Sequence, residues 1–479
     1  MKSAEETHRE SPDEVLDRIL SDPSCRVHFV GLAGAGMSAL AEFRLRGGGA
    51  VSGSDRFFDR GELSDEKRRF EDLGARVLVQ DGRGIASADI VAASTAVEAA
   101  IPDLVEARRC ERPIYHRSEI LASFIRRGRS VAVTGTSGKS TVVGMLWSAL
   151  RAAKEDPALI TGGELMALRG PTARGNAAVG SGPLIVEADE SDRSVSRYAP
   201  SLGLILNLHK DHAPAEEILP AFRSFKDQCR EACLLGDDPA LRPLRVGAEV
   251  FGFGEEAGLR GHNLQLEPFG SRFEFEGIEV AVPMPGRHNA ENALAALAAA
   301  KMLGAAMPAV SVGLECFGGI HRRYEVVGEA EGVLVIDDFA HNPAKIAASL
   351  KAARRQARAR GGRLLAIFQP HGFAPTKFYR SELVEAFAEI LDPDDQAFLQ
   401  EIFFAGGSAV KDISSAEVIH DLQDRGVNAS LGSTRKALCE KLANTALSGD
   451  VVLSMGARDP GLNGFAQQIF ERLSVANEG

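Results

Sequence analysis

The chain has no long uncharged apolar run, no basic block and no cysteine pair at metal-binding spacing, and each absence removes a class of function. Its most apolar stretch, ALAALAAAKMLGAAMPAV near residues 293–310, is interrupted by Lys301, which suits a buried Ala-rich helix better than a membrane span. The N-terminus, MKSAEETHRESPDEVLDRILSDP, is charged throughout and lacks the apolar core a signal peptide needs. Lysine and arginine number 55 against 66 aspartates and glutamates, a net charge of −11, and no Lys/Arg-rich tract offers a nucleic-acid footprint. Local basic residues are therefore expected to serve small anionic ligands. Six cysteines, Cys25, Cys110, Cys229, Cys233, Cys316 and Cys439, occur without CxxC spacing. Cys229 and Cys233 could share a helix face, yet no neighbouring His or Cys completes a zinc set, so free thiols of a cytosolic protein are expected. There is no internal repeat and no low-complexity segment.

What is present is an α/β alternation along nearly all of the 479 residues, a length that suggests about three domains. The first block, 1–128, opens with RVHFVGLAGAGMSALAEFRLRGG, a strand, a Gly-rich turn and a helix, in a Rossmann-like layout. Its first ~20 residues read as an unanchored extension of the kind that is often partly disordered. The second block, 129–318, begins with VAVTGTSGKST. There a β-branched strand breaks into a Gly-rich turn and restarts as a helix, aiming backbone N–H groups and a helix N-terminus at one spot. That spot suits a polyphosphate. In a P-loop of this kind Lys139 reaches the outer phosphates and the Ser140 hydroxyl ligates Mg²⁺, although Gly135 and Gly138 stand closer together than in the full Walker form. The third block, 319–479, runs from FGGIHRRYEVVGE through VLVIDDFAH, LLAIFQPH and DVVLSMGA with helical segments between.

Two further groups point to nucleotide chemistry. Gly31, Gly34 and Gly36 close the first strand and Asp55 closes the second, which approximates a dinucleotide fingerprint with altered spacing. The same geometry would hold the pyrophosphate of a nucleotide sugar, with the carboxylate taking a ribose or base donor. In VEADESD, Glu187, Asp189, Glu190 and Asp192 crowd one strand end, and their repulsion calls for a cation, an arginine or open solvent. LNLHKDH brings His209, Asp211 and His212 to a comparable strand end, where a neutral imidazole could complete a second metal site.

Taken in order, HFVGLAGAGMSALAE, VSGSD, TGTSGKST, GNAAVGSG, VEADESD, NLHKDH, PGRHNAENALAA, GGIHRRYE, DDFAHNP, FQPH and MGARD resemble the Mur ligase family of ATP-dependent amide ligases of the cell wall. Within it they lie nearest the alanine-adding and murein-tripeptide-recycling branches. The resemblance implies three domains: a Rossmann-like N-terminal domain for UDP-N-acetylmuramate, a P-loop ATPase-like central domain, and a Rossmann-like C-terminal domain that brings the amino acid and closes over the site. It implies that Gly135, Thr136, Ser137, Gly138, Lys139, Ser140 and Thr141 bind ATP, together with His288, Asn289, Asn292, Arg323 and Asp338. Two Mg²⁺ ions are implied, one on Ser140 and Glu187 and one on His212. Lys226, in FRSFKDQ, matches a position that is a carbamylated lysine in several relatives, where it would add an anionic ligand; an exposed helical lysine is the alternative. For the UDP-sugar the resemblance implies Gly31, Ala33, Gly34, Gly36, Met37, Ser38, Asp55, Ser94, Thr95 and Asn176. Lys139, Glu187, His212 and Arg323 form the implied catalytic set.

The chemistry follows from the reactants. A carboxylate does not react with an amine at neutral pH, so it must first attack the γ-phosphate of ATP and become an acyl phosphate, a phosphoryl transfer that demands in-line positioning and charge neutralisation. The acceptor side departs from the alanine-adding pattern. There FQPH usually runs on into Arg-Tyr-Thr-Arg, whereas here Gly372, Phe373, Ala374 and Pro375 follow His371, and Gly407 stands where an acid is usual. Lys377, Arg380 and Arg458 are the cations available to replace the missing arginines. His341 is equally readable as a base for the amine and as a residue at a helix start. The sequence leaves open a ligase for murein tripeptide or another acceptor, and a nucleotide-binding regulator without amide formation. A dehydrogenase built on GLAGAGM would leave the P-loop unexplained.

Overall fold

The computed structural model describes residues 10–189, 194–208, 215–404, 410–432 and 434–475. It has three α/β domains, each built on its own sheet. The chain divides into two compact units. One comprises residues 1–263, 274–280 and 291–318, and the other 264–273, 281–290 and 319–479.

The first sheet holds five strands between Val27 and His116 in the order third, second, first, fourth, fifth. All its pairs are parallel. Because the first strand, Val27–Val30, pairs with both the second and the fourth, the loops at its carboxyl end and at that of Ile90–Ala93 part to opposite sides, which opens a ligand crevice. Four-residue strands with every residue buried, as in VHFV and IVAA, are what a sheet covered on both faces requires.

Residues 1–9 of the predicted N-terminal extension lie outside the described residues, and the remainder is helical. Residues Pro12–Ser21 form a helix started by a capping box, in which Ser11 accepts from the Glu14 amide and Glu14 accepts from the Ser11 amide. Leu16 and Leu20 are buried, and Arg126 grips Asp17 through two hydrogen bonds of 2.9 and 2.8 Å.

In the ten-stranded central sheet, Ser130–Thr134 lies between Leu184–Glu187 and Leu202–Ile205, parallel to both. The Ala-rich stretch is a helix, Arg287–Leu303, with Ala293 to Ala300 sealed from solvent. No helix among the described residues is long and apolar enough to cross a membrane. The third sheet places Val451–Met455 between Val333–Asp338 and Leu364–Phe368, all three parallel. All six cysteines are free thiols.

Candidate functional site

The P-loop follows from its glycines. Gly135 and Gly138 have φ of +134° and +87°, and a Cβ on Gly138 would strike the Asn292 side chain, so a substituted residue fits neither the backbone nor the space. The helix Lys139–Ala152 starts directly after the turn. Asn207, at the end of the neighbouring strand, fastens the loop. Its Oδ1 accepts from Thr136 Oγ1 and from the Ser137 amide, both at 2.9 Å, and its Nδ2 donates to the Ser137 carbonyl at 3.1 Å. Lys139 Nζ donates to the Gly135 carbonyl at 2.8 Å, which folds the ammonium over the turn.

Glu187 ends the strand on the other side of the P-loop strand. Its Oε2 accepts from Ser140 Oγ at 2.9 Å, Thr161 Oγ1 at 2.7 Å and the Gly162 amide at 2.9 Å. A carboxylate fixed by three donors beside a helix-start serine is an oxygen-rich pair of the kind Mg²⁺ takes alongside substrate phosphates. Ser140 and Glu187 therefore fit the ion. The neighbouring Asp189 lies 3.7 Å from Arg117, so an arginine offsets part of the predicted acidic crowding. Glu190, Asp192, His209, Asp211 and His212 lie outside the described residues. Sequence reasoning passed over Asn207 and Thr161, although Asn207 stands inside the quoted LNLHKDH.

Lys226 is placed elsewhere, and this corrects the expectation of a carbamate ligand. Its helix, Ala215–Gln228, leads into a chain whose Arg230 amide bonds the Pro200 carbonyl, just before the strand Leu202–Ile205 begins. The last turn of the helix is thus at the amino ends of the strands, whereas Glu187 and the P-loop are at the carboxyl ends. Lys226 Nζ donates to the Val246 carbonyl at 2.9 Å and lies 3.3 Å from Asp227.

In the first domain, Gly31 has φ +83° and Gly34 caps the helix Ala35–Arg46. Buried Asp55 braces the turn: Oδ2 accepts from the Ala33 amide and Oδ1 from the Phe57 amide, both at 2.9 Å. Met37 and Ser38 are buried, and Asn176 Nδ2 donates to Ser38 Oγ at 3.1 Å. The Asn176 Oδ1 atom is buried with no hydrogen-bond partner. A Cβ at Gly36 would meet the Arg117 side chain at 3.3 Å. Ser94 and Thr95 follow the strand Ile90–Ala93, across the crevice from the Gly-rich turn. These ten predicted positions thus gather around one helix N-terminus and one strand switch.

In the second unit, Asn289 Nδ2 donates to the Pro285 carbonyl at 2.8 Å and the His288 side chain is exposed. Arg322, with left-handed φ of +55°, is buried. It donates to Asp337 Oδ2 at 2.9 Å, the Gly456 carbonyl at 2.8 Å and Asn463 Oδ1 at 3.1 Å. Burial pushes the Asp337 carboxyl up to about 6 despite that arginine. Arg323 is half-buried with its guanidinium 4.8 Å from the Phe339 ring centre. Asp338 is buried and bonded by Ser349 Oγ, and desolvation raises its carboxyl above the usual range. Of the acceptor residues, His341 and His371 come together, ring centres 5.5 Å apart, against a small cavity that Ile346, Phe368 and Tyr379 also line. Lys377 is paired with Asp412 at 2.5 Å, and Arg380 with Asp421 and Glu417. Arg458 is exposed. Gly407 lies outside the described residues.

Known proteins resemble the chain along most of its length. Residues 26–129 match the profile described as Mur ligase family, catalytic domain, residues 133–300 the Mur ligase middle domain, and residues 322–458 the Mur ligase, glutamate ligase domain. The UDP-N-acetylmuramate–L-alanine ligase of Pelotomaculum thermopropionicum is 35% identical over 462 residues, covering 91% of this chain and 96% of the relative. The ligase of the same description from Nocardia farcinica is 36% identical over 478 residues, with 91% and 92% covered. The crystal structure of the Thermotoga maritima UDP-N-acetylmuramate–alanine ligase superposes with a TM-score of 0.77 at 25% identity, over 93% of this chain and 98% of that one. The murein peptide ligase of Psychrobacter arcticus shares the fold, with a TM-score of 0.65 at 22% identity over 94% and 99%.

Proposed function

The chain belongs to the Mur ligase family, and on that premise we propose that it joins the lactyl carboxylate of UDP-N-acetylmuramate to L-alanine at the expense of ATP, releasing ADP and phosphate. The observation that carries the reading is the convergence of Lys139, Ser140 and Glu187 at the carboxyl ends of adjacent parallel strands, in a chain matched along nine-tenths of its length by ligases of this kind.

In the first step a carboxylate oxygen attacks the γ-phosphorus, the bond to the β-bridging oxygen breaks, and ADP leaves. The P-loop amides and the Lys139 ammonium orient the phosphates and meet the charge that develops on the transferred group; Arg323 is the further cation that the family resemblance implies for this step. Ser140 and Glu187 would hold a Mg²⁺ ion, which supplies charge neutralisation and alignment of the phosphate oxygens. In the second step the neutral amine of L-alanine attacks the acyl carbon and phosphate departs with its bridging oxygen. His341 and His371 are the groups proposed to take the proton from the acceptor amine. The Gly-rich turn, Asp55, Asn176, Ser94 and Thr95 would hold the UDP-sugar. On this reading the reaction would run in the cytoplasm, in the synthesis of the peptidoglycan precursor.

The test is phosphate release with UDP-N-acetylmuramate and each amino acid in turn, with murein tripeptide as a further acceptor. L-Alanine should give the highest kcat/KM. Release that depends on the tripeptide and ignores L-alanine would move the protein to recycling, and ATP turnover without any acceptor would contradict amide formation.

A further inference from the structure

An amino acid bound for ligation presents two ends, an amine that reacts and a carboxylate that does not. The carboxylate must find a cation in a site that excludes water, and a guanidinium matches it best because two parallel N–H groups meet two oxygens. The third domain has to supply that group without the paired arginines expected after FQPH.

The structure sorts the three cations that sequence offers. Lys377 Nζ is 2.5 Å from Asp412, and Arg380 is held bidentate by Asp421 with Glu417 at 3.3 Å. Each would have to abandon a carboxylate already in place. Arg458 is exposed and has no ion-pair partner among the described residues. It sits just past the strand Val451–Met455, which lies between the strands that lead to His341 and His371. Two backbone hydrogen bonds lock it between those loops: the Gly456 amide to the Asp338 carbonyl at 3.2 Å and the Gln369 amide to the Met455 carbonyl at 3.0 Å.

The turn carrying Arg458 is braced on both sides. Buried Arg322 holds the Gly456 carbonyl at 2.8 Å, and Arg435 pairs with Asp459, which also caps the short helix Pro460–Gly464. Gly456 has φ +149°, and a Cβ there would press on Leu462, so the turn has little room to shift. The backbone of the turn is fixed while the guanidinium is exposed, so an anion bound there displaces no existing ion pair.

Resting on the ligase reading, we propose that Arg458 binds the α-carboxylate of the incoming amino acid and so sets acceptor specificity. The rival cation is Lys411, whose ammonium lies 5.0 Å from the Phe404 ring centre and 6.0 Å from that of Phe373.

The test compares L-alanine with L-alaninamide, which keeps the amine and lacks the carboxylate. Arg458→Ala should raise the KM for L-alanine about 10- to 100-fold. It should leave the KM values for ATP and UDP-N-acetylmuramate within about twofold and match the unmodified enzyme on L-alaninamide. Arg458→Lys should recover part of the loss. The proposal is overturned if Arg458→Ala handles L-alanine normally, if it loses L-alaninamide activity to the same degree, if the KM for ATP moves instead, or if Lys411→Ala reproduces the effect. An unmodified enzyme that ligates neither acceptor would remove the ligase reading itself, and this proposal with it.

Discussion

The carboxyl end of the central sheet and that of the third sheet are built from opposite materials. Around the P-loop the polar groups are backbone amides, hydroxyls, an asparagine and the single carboxylate of Glu187, and Lys139 rests on a carbonyl. In the third domain Arg322, Lys377, Arg380 and Arg435 are each committed to a carboxylate. The first arrangement suits phosphate, because the glycine turn and the helix start aim backbone dipoles at one spot. The second commits these four cations to holding loops together. Ligand recognition there falls to whichever cation the ion pairs leave over.

The largest effect is expected at the P-loop lysine. Lys139→Ala should lower kcat at least about 1000-fold while the thermal midpoint stays within about 2 °C, since its bond to the Gly135 carbonyl lies within its own turn. A variant that melts normally and turns over near the normal rate would break the comparison from the central side. Glu187→Gln should come next, with kcat down roughly 100-fold and a higher Mg²⁺ requirement, because the amide keeps the shape and loses the charge. Normal Mg²⁺ dependence would remove Glu187 from the ion's site.

Much of this contrast was legible before any coordinates, but unevenly. The P-loop is a run of consecutive residues whose conformation is set by Gly135 and Gly138, so sequence alone located it. The α/β class was implied by alternation of strand and helix patterns, and the order of strands in each sheet was not. What sequence hid was long-range pairing. Nothing in FQPHGFAPTKFYR reveals that Asp412 and Asp421, more than thirty residues on, neutralise Lys377 and Arg380. The helix Pro12–Ser21 was missed for the same reason. Its charge suggested a loose tail, while Arg126, over a hundred residues away, anchors it. The local signal, Ser11-Pro12 with Glu14, was present and outweighed. Lys226 was misplaced because a motif fixes a residue's helix but not which end of the sheet that turn of helix reaches.

A buried ion pair in the third domain gives the next effect. The Asp337 carboxyl is raised by burial to about 6, above its ordinary value. The protonated form is therefore favoured in the fold, so this group's stabilising contribution is fully present below pH ~4 and is lost as pH rises through about 6. Linkage gives about 3 kcal/mol over that window. Urea unfolding at pH 4 to 7 should show the difference between the parent and Asp337→Asn changing by that order, with the parent losing ground as pH rises. Parallel curves would mean that Arg322 keeps Asp337 ionised throughout. The smallest effect belongs to Lys226→Ala, which should leave kcat within about twofold and show no rescue by acetate. A large loss restored by acetate would return that lysine to the metal site.

The central claim, that the UDP-sugar carboxylate is activated by phosphoryl transfer before the amine attacks, has a direct test. UDP-N-acetylmuramate labelled with ¹⁸O in its lactyl carboxylate is incubated with ATP, Mg²⁺ and L-alanine, and the released phosphate is examined by mass spectrometry. The account predicts one ¹⁸O atom in each phosphate from fully labelled substrate, carried over from the acyl phosphate. Phosphate free of ¹⁸O, formed alongside the amide product, would contradict it.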